Sequence, residues 1–301
     1  WGSPVYNEVQ VQPALNDFIK KCGEYNVKVA LSTWWREDTE QTVNTIKSGR
    51  DLGMMWKKTL DSIAEEGLLD NIIFVDLSNE YSIGVWTPYL PDGTKRNSEL
   101  AISYMHESID LLAKAYPEMP FCFSITTEFD KWKTEDVSRQ DLLELHIWIA
   151  NSSGFNQEVG YNFQRFGFDD YKKLQLNAQR LYREKEKHWL KQLNDRIDLA
   201  INWSKHAKLP MVTTECWGPI DYRDFPLLEW QWVKEACAFG TKQAAKSGRW
   251  LAISTSNFCG PQFVGMWRDV EWHRNLTDII HNAPVDEALK ETKLAKRMSR
   301  G

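Results

Sequence analysis

Apolar positions follow two periodicities that take turns along nearly the whole chain. Helical spacing predicts helices over Val11–Tyr25, Leu52–Leu69, Ser98–Tyr116, within Asp169–Lys208, within Leu228–Lys246 and near Val270–His281. Short apolar runs between them predict strands at Val27–Trp35, Asn71–Leu77, Pro120–Thr126, Leu143–Ile149, Met211–Trp217 and Trp250–Thr255. We also expect a helical turn at Ser138–Leu142, a loop from Asn151 to Phe168, and a charged surface tail over residues 284–301.

This alternation is typical of βα units with a parallel sheet, and no linker divides residues 1–301, so one domain is expected. No Gly-rich phosphate loop is present, which favours a (β/α)8 TIM barrel over a doubly wound dinucleotide-binding sheet. The opening WGSP precedes a helix and then a strand. We therefore expect the first two barrel strands to be missing before Trp1, since six strands alone would leave open edges.

Composition excludes several classes of protein. The 301 residues are 42% hydrophobic, enough for a large core, and a net charge of -5 argues against a nucleic-acid partner. No apolar run approaches the roughly 20 residues of a membrane span, so no membrane partner is expected. The 5 cysteines are scattered without a CxxC pair, so neither a disulfide framework nor a zinc site is indicated.

Aromatic residues are abundant, with 15 Trp, 13 Phe and 10 Tyr. Most belong to a core, but several follow predicted strands, where a flat aromatic face suits the apolar face of a sugar ring. The candidate stacking platforms are Trp34, Trp35, Trp86, Trp148, Trp217 and Trp267.

Polar residues also gather where the predicted strands end. If the strands are parallel, these residues converge on one rim, where barrel enzymes keep their chemistry. They are Arg36, Glu37, Asp38, Asn79, Glu80, Glu128, Asp130, His146, Glu215, Ser256 and Asn257.

Two of these ends, VDLSNEY and VTTECWG, resemble the clan of retaining (β/α)8 glycoside hydrolases that includes cellulases and mannanases. In that clan an Asn-Glu pair ends the fourth strand and a second glutamate ends the seventh. The resemblance makes Val27–Trp35 the third strand and Trp250–Thr255 the eighth. It implies a hydrolase that cleaves β-linked glycosides or polysaccharides with no cofactor and no metal.

The resemblance also implies residue roles. Glu80 is expected to be the acid/base, with a raised pKa, and Glu215 the nucleophile about 5–5.5 Å away. Asn79 is expected to contact the sugar 2-hydroxyl.

Other residues are expected to bind the substrate. His146 resembles the histidine of a His-x-Tyr motif whose tyrosine position holds Trp148, so Tyr161 is a candidate substitute for that tyrosine. Asn257 is a further substrate-binding candidate.

Three other interpretations stay open. A metal-dependent sugar isomerase or epimerase would gather Glu80, Glu128 or Asp130, His146 and Glu215 around a divalent cation. A barrel that binds carbohydrate without turnover, or a structural barrel with internal ion pairs, would also fit. Location is open, and a secreted or periplasmic site follows only from the inferred substrate class.

Overall fold

The computed structural model describes residues 11–36, 40–126, 129–149, 154–162, 167–219, 228–256 and 264–299. The α-helices in these ranges are α1 (Ala14–Glu24), α2 (Gly49–Glu65), α3 (Glu99–Ala115), α4 (Phe155–Val159), α5 (Phe168–Glu184), α6 (Glu186–Ala207), α7 (Gln231–Ser247), α8 (Val264–Trp267), α9 (Val270–His281) and α10 (Lys293–Met298). The strands are β1 (Val29–Leu31), β2 (Ile72–Asp76), β3 (Phe121–Cys122), β4 (Leu143–Glu144), β5 (Ile147–Trp148), β6 (Met211–Thr213), β7 (Cys216–Trp217) and β8 (Trp250–Ile253). None of the described helices combines the length and apolar character needed to cross a membrane.

The strands form three parallel sheets that follow chain order. The sheet β1-β2-β3 is followed by β4-β6-β8, and β5 pairs with β7 just beyond. A parallel bridge between Ile125 and Leu145 joins the first sheet to β4. The result is one arc of parallel strands, which confirms the predicted α/β fold with parallel pairing.

The arc is open between its outer strands. Within the described residues no pairing joins β1 to β8, so the strands do not close into a barrel. Ala30, on β1, is exposed at this edge. A closed barrel is therefore not a feature of the described sheets.

Side-chain alternation divides each strand between two faces, because successive residues of a strand point in opposite directions. On β2, Val75 packs with α2 and α3 in one large core cluster. Phe74 belongs instead to a small inner cluster with Cys122, Leu142, Val212 and Leu294. The polar residues two positions after Phe74 and Val212 are Asp76 and Thr214, which both line a cleft.

The predicted surface tail is partly wrong. Leu289 and Leu294 are fully buried, and Leu294 of α10 completes the inner cluster. Arg297 donates from Nε to the carbonyl of Ile72 at 2.7 Å. Charged residues alternate here with apolar ones over too few turns for sequence periodicity to reveal the buried face.

The other sequence predictions differ from the structure mainly at element ends. The strand predicted at Leu143–Ile149 is interrupted, as is the one at Met211–Trp217. The single long helix predicted within Asp169–Lys208 is two helices, because Lys185 leaves helical geometry with φ -127°. The expected loop after Asn151 contains α4, and the turn expected at Ser138–Leu142 is not a helix.

A buried arginine holds the backbone around the end of β2. Arg96 forms an ion pair with Glu135, and both side chains are almost completely buried. Its guanidinium also donates to the carbonyls of Ser124 and Phe123, each at 2.9 Å. Arg96 thus pairs with one buried carboxylate and also donates hydrogen bonds to the backbone that supports Glu80.

Arg96→Met is expected to lower the free energy of unfolding by roughly 3–5 kcal/mol, because it leaves Glu135 charged and buried without a partner. Urea unfolding measures the change. The control is Arg180→Met, which removes an ion pair to Glu184 whose arginine side chain is 59% exposed and should cost less than about 1 kcal/mol. A loss at Arg96 no larger than at Arg180 would show that the buried pair does not stabilise the fold.

Candidate active site

The two glutamates singled out from the sequence lie together. Glu80 follows β2, and Glu215 lies between β6 and β7. One carboxylate oxygen of each lies within 4.8 Å of the other, and within the same distance of a ring nitrogen of His146. The side chains are 15% and 22% exposed, so both are largely buried yet open to a ligand.

Local backbone geometry sets the direction of Glu80. Its φ is +47°, the left-handed region that a residue with a side chain adopts at a cost. Hydrogen bonds hold this conformation: Ser124 Oγ accepts from the Glu80 amide at 2.7 Å, and the Thr33 carbonyl accepts from the Asn79 amide at 2.9 Å. The strand therefore ends in a turn held by its neighbours.

His146 lies between the acidic groups and is completely buried. Its Nδ1 is 2.9 Å from Glu80 Oε1 and 3.8 Å from Glu215 Oε2. Its Nε2 is 2.9 Å from Glu144 Oε2, in an ion-pair contact. The other oxygen of Glu144 accepts from the amide and hydroxyl of Thr214 at 2.8 and 2.7 Å.

These contacts determine the charges of Glu80 and His146. Burial alone would raise the pKa of Glu80, but the hydrogen bond and charge of His146, with hydrogen bonds from Thr126 and Trp86, lower it below its usual value. Burial alone would lower the pKa of His146, but Glu144, Glu215 and Glu80 raise it well above its usual value. Near neutral pH an imidazolium therefore faces an ionised Glu80.

The pKa of Glu215 is shifted in the opposite direction to that of Glu80. Burial raises the pKa of Glu215 to about 7; the charge of His146 opposes this, while Glu80, Glu144 and Asp76 reinforce it. The expectation that Glu80 has the raised pKa is thus wrong for the unliganded protein, because His146 contacts Glu80 more closely than Glu215. Near neutral pH a proton on this pair of glutamates is therefore held by Glu215 rather than by Glu80, and Glu215 is only partly protonated.

A cleft of about 520 Å³ opens beside Glu215. It runs along β1 and the segment after it, from Ala30 to Arg36. Asn79 and Glu215 line it, with the buried carboxyls of Asp76 and Glu144 at its inner wall. Burial, together with the charge of Glu144, raises the pKa of Asp76 to about 6.

Two of the predicted aromatic platforms stand beside Glu80. Trp34 and Trp86 stack with ring centroids 5.2 Å apart and planes 22° apart, and both are partly exposed. Trp86 also donates from Nε1 to Glu80 Oε2 at 3.1 Å. The guanidinium of Arg36 lies 5.9 Å from the Trp86 ring centroid.

Three other predicted binding residues are buried, so they offer no face to a sugar. Trp217 and Tyr161 belong to the large core cluster on the helical side of β4 to β8. Trp148 is only 3% exposed. The Trp217 ring lies so close to α7 that a Cβ on Gly240 would come within 2.6 Å of it. The platform assignment fails here because closeness to a strand end does not decide whether a side chain is buried.

The remaining candidates are distributed elsewhere. Trp35 packs on the core and donates from Nε1 to the Leu77 carbonyl at 2.9 Å. Trp267 is 52% exposed. It lines another groove, with Val270 and His273 of α9. Asn257 lies outside the described residues, as do Glu37, Asp38 and Glu128.

The spacing of Glu80, His146 and Glu215 is one that could surround a metal ion. A metal would need the lone pair of His146 Nδ1, and that nitrogen carries a proton in its contact with Glu80. Asp130, a candidate in the isomerase interpretation, is exposed and interacts with Arg196. Metal binding at this position would therefore compete with the protonation of His146.

Sequence reasoning missed Glu144, Asp76 and Thr214. The signal for Glu144 was present, because it lies two residues before His146 in an apolar strand and must share its face. Asp76 likewise ends an apolar run. Each lies within a predicted strand, before the polar residue that was chosen near the end of that strand.

Comparison with known proteins places these features in a class. A crystal structure of a protein from Parabacteroides distasonis, described as a "putative glycoside hydrolase", matches with a TM-score of 0.94 and 45% sequence identity. The match covers 99% of this chain and 82% of that chain. Fold and site together therefore define a cellulase-like α/β protein.

The family assignment is more specific. The model of the family described as sugar-binding cellulase-like matches residues 1–281, and the chain belongs to this cellulase-like family. This confirms the resemblance found in the sequence. The comparison with curated proteins found no match.

Proposed function

We propose that the chain is a retaining glycoside hydrolase that cleaves β-linked glycosides or polysaccharides with Glu80 and Glu215. The observation that carries the proposal is the approach of the two carboxylates to within 4.8 Å beside an open cleft. Retaining enzymes hold their carboxyl groups about 5–5.5 Å apart, whereas inverting enzymes need roughly 6.5–9.5 Å to admit a water. Membership of a sugar-binding family supports a carbohydrate ligand.

In the proposed reaction, ionised Glu215 attacks the anomeric carbon while protonated Glu80 gives its proton to the leaving oxygen. Glu80, now ionised, then takes a proton from the water that releases the sugar from Glu215. Asn79 lines the cleft beside Glu80, where its amide would contact the 2-hydroxyl. The partly exposed Trp34–Trp86 stack supplies an apolar face for the sugar ring.

We also propose that the parallel arc is part of a (β/α)8 barrel. Its strands follow chain order with every pairing parallel, as barrel strands do. β4 and β5 are two parts of one interrupted strand, as are β6 and β7, so the arc has six strand positions. Two further strands between β1 and β8 would bring the number of positions to eight. The site residues lie at the carboxyl ends of the strands, the end at which barrel enzymes act.

The anomer formed first by hydrolysis tests the mechanism. Proton NMR of an aryl β-glycoside during its first turnovers is expected to show the β-hemiacetal before mutarotation. Initial formation of the α-anomer would contradict the double displacement. Loss of activity on treatment with EDTA, restored by a divalent cation, would favour the metal-dependent isomerase or epimerase instead.

A further inference from the structure

Glu144 is a buried carboxylate to which the proposed reaction assigns no role. Its side chain is 1% exposed and lies behind His146, on the side away from Glu80. Two hydrogen bonds from Thr214 to Oε1 fix its orientation, which leaves Oε2 at His146 Nε2. A buried charge is costly unless it is paired, so its partner must be the imidazolium.

We propose that Glu144 is a positioning residue that holds His146 as a proton carrier between Glu215 and Glu80. This rests on the proposed function, because the carrier resolves a conflict within it. In the unliganded protein burial favours a proton on Glu215 and His146 keeps Glu80 ionised, whereas the reaction requires the proton on Glu80. His146 Nδ1 is the one ring nitrogen that faces both glutamates.

The transfer balances without any further reactant. Nδ1 of the imidazolium gives its proton to Glu80 Oε1 across 2.9 Å. The neutral ring, still protonated at Nε2 towards Glu144, then accepts the proton of Glu215 at Nδ1. The 3.8 Å separation must shorten by about 1 Å to reach hydrogen-bond length. Glu80 ends protonated, Glu215 ends ionised, and His146 regains its charge.

The charged groups around His146 all favour this proton transfer. Glu80 reaches the ring from the turn after β2, Glu144 from β4 and Glu215 from the segment between β6 and β7. Asp76 on β2 adds negative charge that acts on Glu215. The Glu144 charge stabilises the imidazolium and also raises the pKa of Glu215, so both proton sites depend on it.

Glu144→Gln tests the proposal, because the amide oxygen can still accept from Thr214 while the charge is lost. The His146 titration, followed by NMR of the imidazole, is expected to move to lower pH by about one unit or more. The alkaline limb of kcat/KM, expected near pH 7 from Glu215, should move the same way, because loss of a neighbouring negative charge lowers the pKa of Glu215. We expect kcat to fall at least about 10-fold with KM little changed, since proton transfer rather than binding is impaired.

Two controls separate this role from simple packing. Thr214→Val removes one hydrogen bond to Glu144 but leaves its charge, so the His146 titration should stay in place. Glu235→Gln, which removes the charge of a helix residue paired with Arg183, should leave both profiles unchanged. Equal effects of Glu144→Gln and Thr214→Val on the pH profile would overturn the proposal.

The NMR titration also works without turnover or a variant. A wild-type imidazole that becomes neutral below about pH 6.5, the ordinary histidine value, would overturn the carrier. If the protein cleaves no glycoside, the proposed function fails. The histidine titration would then still decide whether Glu144 maintains the imidazolium.

Discussion

Glu215→Ala is expected to reduce cleavage of an activated aryl β-glycoside on the order of 10⁵-fold, the scale of loss when a catalytic nucleophile is removed. The physical reason is that no other described carboxylate lies both next to Glu80 and on the open cleft at that position. Initial rates of aryl release measure the loss. Circular dichroism and thermal unfolding establish that the variant is folded.

Azide makes this test specific. The truncated side chain leaves room for a small anion at the anomeric carbon, on the face from which Glu215 would attack. Azide should therefore restore part of the activity with the Glu215→Ala variant and yield the inverted α-glycosyl azide. Glu291→Ala, which removes a glutamate whose side chain is 86% exposed, is the control and should keep full activity. Unchanged turnover in Glu215→Ala would end the proposed mechanism.

Glu80→Ala is expected to have the second largest effect, and its size should depend on the leaving group. Loss of a general acid costs about 10²–10⁴-fold for glycosides with a poor leaving group. Activated aryl glycosides need little protonation, so their first step should be nearly preserved and their second step slowed. A Brønsted plot of kcat/KM against the pKa of the leaving phenol measures the difference. Glu287→Ala, at an 84% exposed side chain, is the matched control.

Azide also separates the roles of the two glutamates. With Glu80→Ala it should attack the sugar attached to Glu215, since an anion needs no general base, and it should yield the β-glycosyl azide with retained configuration. The unliganded protein makes this comparison decisive, because the pKa of Glu80 is lowered while that of Glu215 is raised to about 7. If the two variants exchange their products, Glu80 is the nucleophile and Glu215 the acid.

Local sequence patterns were sufficient to predict the order of elements, the parallel α/β fold and the two glutamates that come together. Helical periodicity also predicted α9, whose observed bounds Val270–His281 match the prediction. Glu80 and Glu215 could be found because each directly follows an apolar run, and the ends of parallel strands meet at one edge. These are local signals, readable over a few residues.

The three-dimensional packing was needed to show which aromatics reach the cleft, how the tail packs and which of the two glutamates has the higher pKa. Trp34 and Trp217 both lie near strand ends, yet one stacks beside Glu80 and the other is buried against Gly240. The charge of Glu80 depends on a 2.9 Å contact with His146, 66 residues away in the chain. Burial and pairwise electrostatics depend on distances between distant segments, and local periodicity contains no information on those distances.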